Sequence, residues 1–231
     1  MKDWATLLSE GIEILRGGDK EIDRIIAPRS DEFIFYLKRY IKEIELFNSA
    51  YGLVGANDTN ELITKHILDS LAPLGLIMKL LKDTGAGKAA KIADVGSGAG
   101  LPGIPLAIVL PQYGFTLIER MGRRVGFLLN TKAVLSLSNV NVEESELEKA
   151  GNGAFNLITF RALKSMDPKL IKTLIKKCAQ GGIIAAYKGR RDKIETEMAS
   201  LQKTCENWEA IPYTTPFLDE ERHLLVIKPQ N

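Results

Sequence analysis

Lys91-Ile92-Ala93-Asp94-Val95-Gly96-Ser97-Gly98-Ala99-Gly100-Leu101-Pro102-Gly103 is the stretch on which the reading of this chain turns. Lys91 to Val95 has the apolar, β-branched character of a central strand, with Asp94 near its C-terminal end. Gly96, Gly98 and Gly100 then permit tight turns and close approach of a ligand, since no Cβ intervenes. Pro102 suits the first turn of a helix, where its missing N–H is no loss. Strand, glycine loop and helix start in this order make a cofactor cradle. Its free backbone donors and positive helix end are expected to face the ligand.

Asp94 bears on which ligand that is. Gly98-Ala99-Gly100-Leu101-Pro102-Gly103 matches the dinucleotide fingerprint literally. A carboxylate two residues before the first glycine would, however, meet a pyrophosphate with like charge. The same carboxylate suits the cationic amino end of S-adenosylmethionine, directly or through water. Gly87-Lys88 resembles part of a phosphate loop, but Lys82 stands where the first glycine is needed and Ala89 where Ser or Thr is needed. A turn that binds nothing would not require three alternating glycines, which cost stability.

Outward from this stretch, 231 residues with 45% hydrophobic content fit one large α/β domain, or a domain with a helical extension. A division near Gly85-Ala86-Gly87 would separate an N-terminal helical region (1–85), packed on the core, from the domain carrying the cradle (86–231). Asp3, Glu10 and Glu13 exclude a signal peptide. The longest apolar run, Ile104 to Leu110, is too short to span a bilayer. Cys178, Cys205, His66 and His223 have no metal-ligand or redox spacing, so no metal is expected and a reducing cytoplasm is the natural setting.

Before residue 85 the pattern is helical. Asp3 and Ser30 are positioned as caps, and Phe33, Leu37, Tyr40, Ile41, Ile44 and Phe47 recur at helical spacing. Asp58 and Glu61 are spaced as a capping box for a helix carrying His66. At such a place a histidine is expected to be a structural hydrogen-bonder. From Lys91 strands are expected at 91–95, 114–119, 140–143, 155–160, 183–187, 208–214 and 223–228. Helices are expected from about 102, 121, 167 and 190. Asp167-Pro168 and Gly181-Gly182 mark the expected start and end of the third of these.

This alternation implies a mostly parallel sheet with ligands at the strands' carboxyl ends, closed by an antiparallel hairpin. The pattern looks like a class I methyltransferase, a Rossmann-like α/β fold of seven strands. Glu119, ending the second strand, could accept both ribose hydroxyls of a nucleoside cofactor, though it would do so for NAD as well.

The resemblance becomes specific in His66-Ile67-Leu68-Asp69-Ser70-Leu71, Asp94 through Pro105, Leu157-Ile158-Thr159-Phe160-Arg161-Ala162 and Tyr187-Lys188-Gly189. In this order they resemble the family of ribosomal RNA small subunit methyltransferase G, also called glucose-inhibited division protein B. The similarity runs from about residue 30 to the C-terminus. It implies a bacterial cytoplasmic enzyme that methylates guanine N7 in 16S rRNA from S-adenosylmethionine. Its substrate would be the rRNA, the small subunit or an assembly intermediate, and the enzyme would act as a monomer.

Carried onto this sequence, the resemblance places the cofactor against Gly96, Leu101, Leu147, Glu148 and Arg161, beside Asp94, Gly98, Gly100 and Glu119. Three positions depart from the family pattern. Leu101 stands for a usual Phe, Glu146 for an arginine within Ser145-Glu146-Leu147-Glu148, and Asn156 for an aspartate. The adenine-side assignment is the one these departures weaken most, although Glu148 is retained.

What is absent also informs. Thr159-Phe160-Arg161-Ala162 lacks the polar-Pro-Pro-aromatic clamp used on exocyclic amines, and Cys178 falls in a helix pattern rather than a cleft. Guanine N7 has an in-plane lone pair and no proton to lose, so alignment can carry the displacement without a general base. Arg161 is expected to orient the reactants. Ten basic residues lie between Arg161 and Lys193, among them Lys164, Lys188, Arg190 and Arg191, and Arg123 and Arg124 follow the second strand. Glu143, Glu144, Glu146 and Glu148 sit opposite in the pattern, an asymmetry suited to steering RNA toward one rim. Three alternatives stay open: another RNA or small-molecule methyltransferase, an S-adenosylmethionine-binding protein without catalysis, and a non-catalytic RNA-binding module.

Overall fold

The computed structural model describes residues 3–162 and 166–229. Seven strands form at the expected places, although the fifth opens at Cys178 rather than 183 and the seventh at Leu218 rather than 223. They are β1 (Lys91–Val95), β2 (Gly114–Glu119), β3 (Val140–Glu144), β4 (Phe155–Arg161), β5 (Cys178–Lys188), β6 (Trp208–Thr215) and β7 (Leu218–Ile227). They build one sheet in the order β3-β2-β1-β4-β5-β7-β6. The first five run parallel, and β7 lies antiparallel between β5 and β6. The order reverses between β1 and β4, which opens a crevice at their carboxyl ends.

Ten α-helices flank the sheet among the described residues: α1 (Trp4–Gly18), α2 (Lys20–Ile26), α3 (Ser30–Tyr51), α4 (Thr59–Leu62), α5 (Leu68–Leu71), α6 (Leu74–Asp83), α7 (Gly103–Val109), α8 (Gly122–Val134), α9 (Pro168–Lys177) and α10 (Arg191–Leu201). Ile92 to Val95 and Leu157 to Phe160 are buried throughout, because helices cover both faces of the central strands. One core joins Leu8, Phe33, Leu37 and Ile67 of the N-terminal helices to Ile104, Phe115, Phe127 and Leu157. On the other face Ile158, Phe160 and Ile184 pack on Ile171 and Leu174 of α9 and Ile194 and Met198 of α10. Two buried phenols bind the helical region to the crevice: Tyr40 donates to the Ala99 carbonyl (2.7 Å) and Tyr187 to the Ser70 carbonyl (2.9 Å).

Several local expectations change. α9 ends at Lys177, before Gly181-Gly182. Those glycines sit instead in an irregular stretch of β5, where the register slips between Phe155 and Leu157 of the partner strand. A Cβ on Gly182 would lie 2.7 Å from the Phe155 carbonyl oxygen. Cys178 accordingly opens a strand, and burial pushes its thiol up to about 12, so it is no nucleophile. Ser30 and Asp3 make no side-chain cap. Asp58 does cap, accepting from Glu61 N at 2.8 Å, but Glu61 reaches back to Asn57 N rather than closing a box on Asp58.

Between α4 and α5 the chain widens into a π-helical turn, Ile63–Ile67. Such turns free backbone groups from the regular ladder and recur at functional sites. This one carries Lys65 and His66, at the edge of the crevice.

Candidate active site

The glycine loop does not offer its backbone donors to a ligand as expected. Gly96 N and Ser97 N both donate to the Ile118 carbonyl, and Gly100 N and Leu101 N to that of Ser97. Gly98 N donates to Glu119 Oε2 (2.9 Å), and Gly103 N to Asp94 Oδ2 (3.1 Å). The start of α7 therefore faces Asp94, not the cavity. A loop with these N–H groups already paired is a poor cradle for a pyrophosphate, which needs them. Gly103 allows this packing, because a Cβ there would stand 2.4 Å from Leu117 and 2.7 Å from Asp94 Oδ2.

Asp94 is fully buried, and its Oδ1 has no hydrogen-bond partner. Burial raises its pKa to about 6, against opposing bonds from the loop and the nearby Arg161 charge. A buried orphan carboxylate oxygen calls for a cationic or protic partner.

A cavity of about 640 Å³ opens above the carboxyl ends of β1 and β2. Val95, Gly96, Ile118, Leu147 and Leu170 give it apolar walls, and Glu119, Glu146 and Glu148 are its carboxylates. Glu119 is nearly buried and fixed: Oε1 accepts from Arg120 N (2.8 Å) and Met121 N (2.9 Å), Oε2 from Gly98 N. Leu147 is buried in the short turn Leu147–Lys149, while the Glu148 side chain is half-exposed, 4.0 Å from Lys169.

That turn is held from below by Lys177, counted in sequence with the basic surface but in fact buried. Its ammonium donates to the carbonyls of Glu148 (2.8 Å) and Ala150 and to Asn152 Oδ1 (2.9 Å). Asn156 Oδ1 accepts from Lys91 N at 2.9 Å, so this departure from the family pattern serves the start of β1. Leu101 is buried in the core rather than exposed in the cavity.

A second cavity, about 370 Å³, lies beyond Ala162, which lines both. Arg161 stands at its wall, at the end of β4. Its Nη1 donates to the Lys65 carbonyl (3.1 Å) and to Asp69 Oδ2 (3.3 Å), and its Nη2 meets His66 Nδ1 at 2.8 Å. Asp69, nearly buried, also accepts at Oδ1 from Tyr213, Thr215 and Arg222. One carboxylate thus joins α5, β4, β6 and β7. This hub escaped the sequence reading; its signal was an acid inside the apolar helix pattern Leu68-Asp69-Ser70-Leu71, which needs cationic partners.

The RNA-side candidates are dispersed. Lys188 is half-buried, 2.8 Å from Glu197, and faces the second cavity. Arg190 pairs with Asp192 and Arg191 with Glu195 in exposed contacts. Arg123 is exposed, whereas Arg124 is half-buried with Nη2 3.5 Å from the Gly52 carbonyl. Lys164 lies outside the described residues. No set of three His, Cys, Asp or Glu side chains among the described residues could hold a metal.

A family model described as GidB, rRNA small subunit methyltransferase G, matches residues 34–225. The chain belongs to the GidB family. Ribosomal RNA small subunit methyltransferase G of Treponema denticola is 36% identical over 96% of this chain and 95% of its own length. Its namesake in Treponema pallidum (strain Nichols) is 40% identical over 83% of each chain. The fold is shared more widely. A SAM-dependent methyltransferase from Aquifex aeolicus superposes with a TM-score of 0.55 at 16% identity, over 70% of this chain and 92% of that one. A tRNA (m1A58) methyltransferase from the same organism gives 0.53 at 13% identity, over 69% of each. At these identities the likeness is one of fold.

A GidB-family methyltransferase takes S-adenosylmethionine as methyl donor, and the residues fit that group. The first cavity, with Val95, Ile118 and Leu147 beside the fixed acceptor Glu119, has the lining a nucleoside needs, and the unpartnered Asp94 Oδ1 lies buried near the strand end rather than on that lining. The loop with its spent donors does not meet a pyrophosphate.

Proposed function

We propose that the chain methylates guanine N7 of 16S rRNA in the bacterial cytoplasm, as a monomer. The observation that carries this reading is the pair of cavities meeting at Ala162, one suited to the methyl donor and one open to a base. S-adenosylmethionine, when bound, supplies an electrophilic methyl group on a sulfonium. Asp94 would hold its ammonium side, Glu119 its ribose, and Leu147 with Glu148 its adenine. Arg161 orients the reactants and cannot act as a base, because its guanidinium stays protonated. N7 has no proton to lose, so a wall without a free general base is sufficient. Transfer of labelled methyl to small subunits and to deproteinised rRNA tests the assignment. Labelling of large-subunit RNA alone would reject it.

If Asp94 holds the ammonium, its ionisation must appear in binding. With a free-state pKa of about 6, cofactor affinity should fall about tenfold per pH unit below that value, and binding near pH 6 should release protons. The fold itself should respond less. A raised carboxyl contributes stability that is complete below its unfolded value of 3.8 and lost as pH rises through about 6. His66, lowered to about 4 by burial and the Arg161 charge, contributes stability that is present above 6.5 and lost as pH falls through about 4. The two oppose one another across the same window. Calorimetry in buffers of different ionisation enthalpy measures the proton release; Asp94→Asn should abolish it.

The RNA rim uses Arg123, Arg190 and Arg191, with the half-buried Arg124 and Lys188 as further candidates. Exposed ion pairs such as Arg190–Asp192 and Arg191–Glu195 exchange readily for phosphate. Replacing Arg190 and Arg191 together by Ala should reduce the log–log salt dependence of RNA binding by about 1.5. An unchanged slope would take both off the rim. Lys188 is unsuited to charge reversal, since Glu there would confront Glu197.

A further inference from the structure

We propose that the second cavity receives the target guanine and that His66, as a neutral imidazole, donates its Nε2–H to the guanine O6. Arg161 then acts through His66 as a positioning residue. The proposal rests on the guanine N7 reading and assigns its base-recognition group.

The geometry fixes the imidazole tautomer. Arg161 Nη2 lies 2.8 Å from His66 Nδ1, and a guanidinium has donors only. Nδ1 must therefore be the acceptor, and the ring's single proton sits on Nε2. Burial and the adjacent guanidinium also hold the ring well below its ordinary pKa, to about 4. The Nε2–H points toward the Gly55 carbonyl at 3.4 Å, beyond the usual range for an N–H···O bond. It is a weakly engaged donor on the wall of a cavity.

The other strong donors around this cavity are cations already matched to carboxylates. Lys65 pairs with Glu61, Arg222 with Asp69 and Glu220, and Lys188 with Glu197. Guanine carries O6 and N7 on one edge. A single N–H on O6 fixes that edge in the cavity while leaving the N7 lone pair free for the methyl on the far side of Ala162. Charge favours a neutral donor as well. N7 becomes cationic on methylation, so an imidazolium beside it would add to the Lys65, Arg161, Lys188 and Arg222 charges on this wall, which Glu61 and Asp69 only partly offset, and would oppose the reaction.

Two side chains separate the ring's functions. Asn retains an acceptor near the Nδ1 position and lacks the Nε2 donor; Gln places an N–H near Nε2 and lacks the Nδ1 acceptor. Single-turnover methylation, with saturating cofactor and small subunits, should be about 100-fold slower for His66→Asn and clearly less slowed for His66→Gln, which keeps the donor but loses the bond by which Arg161 holds the ring. Both variants should keep wild-type cofactor affinity and circular dichroism. The decisive comparison uses subunits whose target guanosine is replaced by 2-aminopurine riboside, which lacks O6 and keeps N7. The wild type should be slowed on this substrate, and His66→Asn should then add no further loss. A loss for His66→Asn that is equally large on both substrates would overturn the contact, as would a wild-type rate for His66→Asn. Nitrogen-15 shifts of the free enzyme should show the Nε2–H tautomer at His66; the Nδ1–H form would also overturn it. Methyl found elsewhere than N7 in the wild-type product would defeat the underlying reading instead, and is separately visible.

Discussion

Asp69→Ala should lower the unfolding free energy by about 3–5 kcal/mol, the loss typical of removing one partner from a buried ion pair. Asp69 Oδ1 accepts from Tyr213 (3.2 Å), Thr215 (3.1 Å) and Arg222 (3.2 Å), and Oδ2 from Arg161 (3.3 Å). Arg161 and Arg222 are only 15% and 16% exposed, so water does not replace the lost carboxylate. The Arg161 guanidinium would be left without its carboxylate partner and Arg222 with Glu220 alone. Asp69→Asn keeps an acceptor without the charge and should cost less. Urea denaturation followed by circular dichroism reads both. A loss below about 1 kcal/mol for the alanine variant, typical of an exposed pair, would remove Asp69 from its role as the tie between sheet and helix.

Arg161→Ala should reduce the single-turnover rate about 100-fold while changing RNA affinity little. The guanidinium joins the π-helical turn to β4 through Lys65, His66 and Asp69, so its loss releases the wall of the base cavity. A displacement of about 1 Å at such a wall is sufficient for a rate loss of this size. Lys at this position should not restore the rate, because an ammonium cannot bond three acceptors in the fixed fork of a guanidinium. Chemical-quench rates set beside equilibrium RNA binding distinguish orientation from affinity. A rate near wild type, or a parallel loss of binding, would contradict the assignment.

The boundaries of β1, β2 and β4 were legible because the central strands are buried on both faces and read as continuous apolar runs, whereas β5 and β7 each begin five residues before the expected start. Glu119 was legible because an acid closing such a strand is anomalous on the surface and useful at a cavity. Elsewhere a correct residue type concealed a different physical task. The glycine loop was identified, yet its N–H groups are used against Ile118, Ser97, Asp94 and Glu119, partners no local pattern reveals. Lys177 looked like one lysine of a basic face; burial makes it the support of the Leu147–Lys149 turn. Gly181-Gly182 carried an ordinary helix-end signal that β5 uses for its irregularity. Asp69 finds partners 92 to 153 residues away, and only the fold brings them together. The π-helical turn at Ile63–Ile67 left no mark in composition, since its residues suit an α-helix equally.

The central claim, methyl transfer to guanine N7 of the small-subunit RNA, is met most directly by strand scission of the product. N7 methylation makes the glycosidic bond of that nucleoside labile after borohydride reduction, and aniline then cuts the chain there. Small-subunit RNA incubated with the enzyme and S-adenosylmethionine should be cut at a single new guanosine, absent without the cofactor. Incorporation of the methyl group into RNA that aniline leaves intact would place it on an atom other than guanine N7, and would contradict the account.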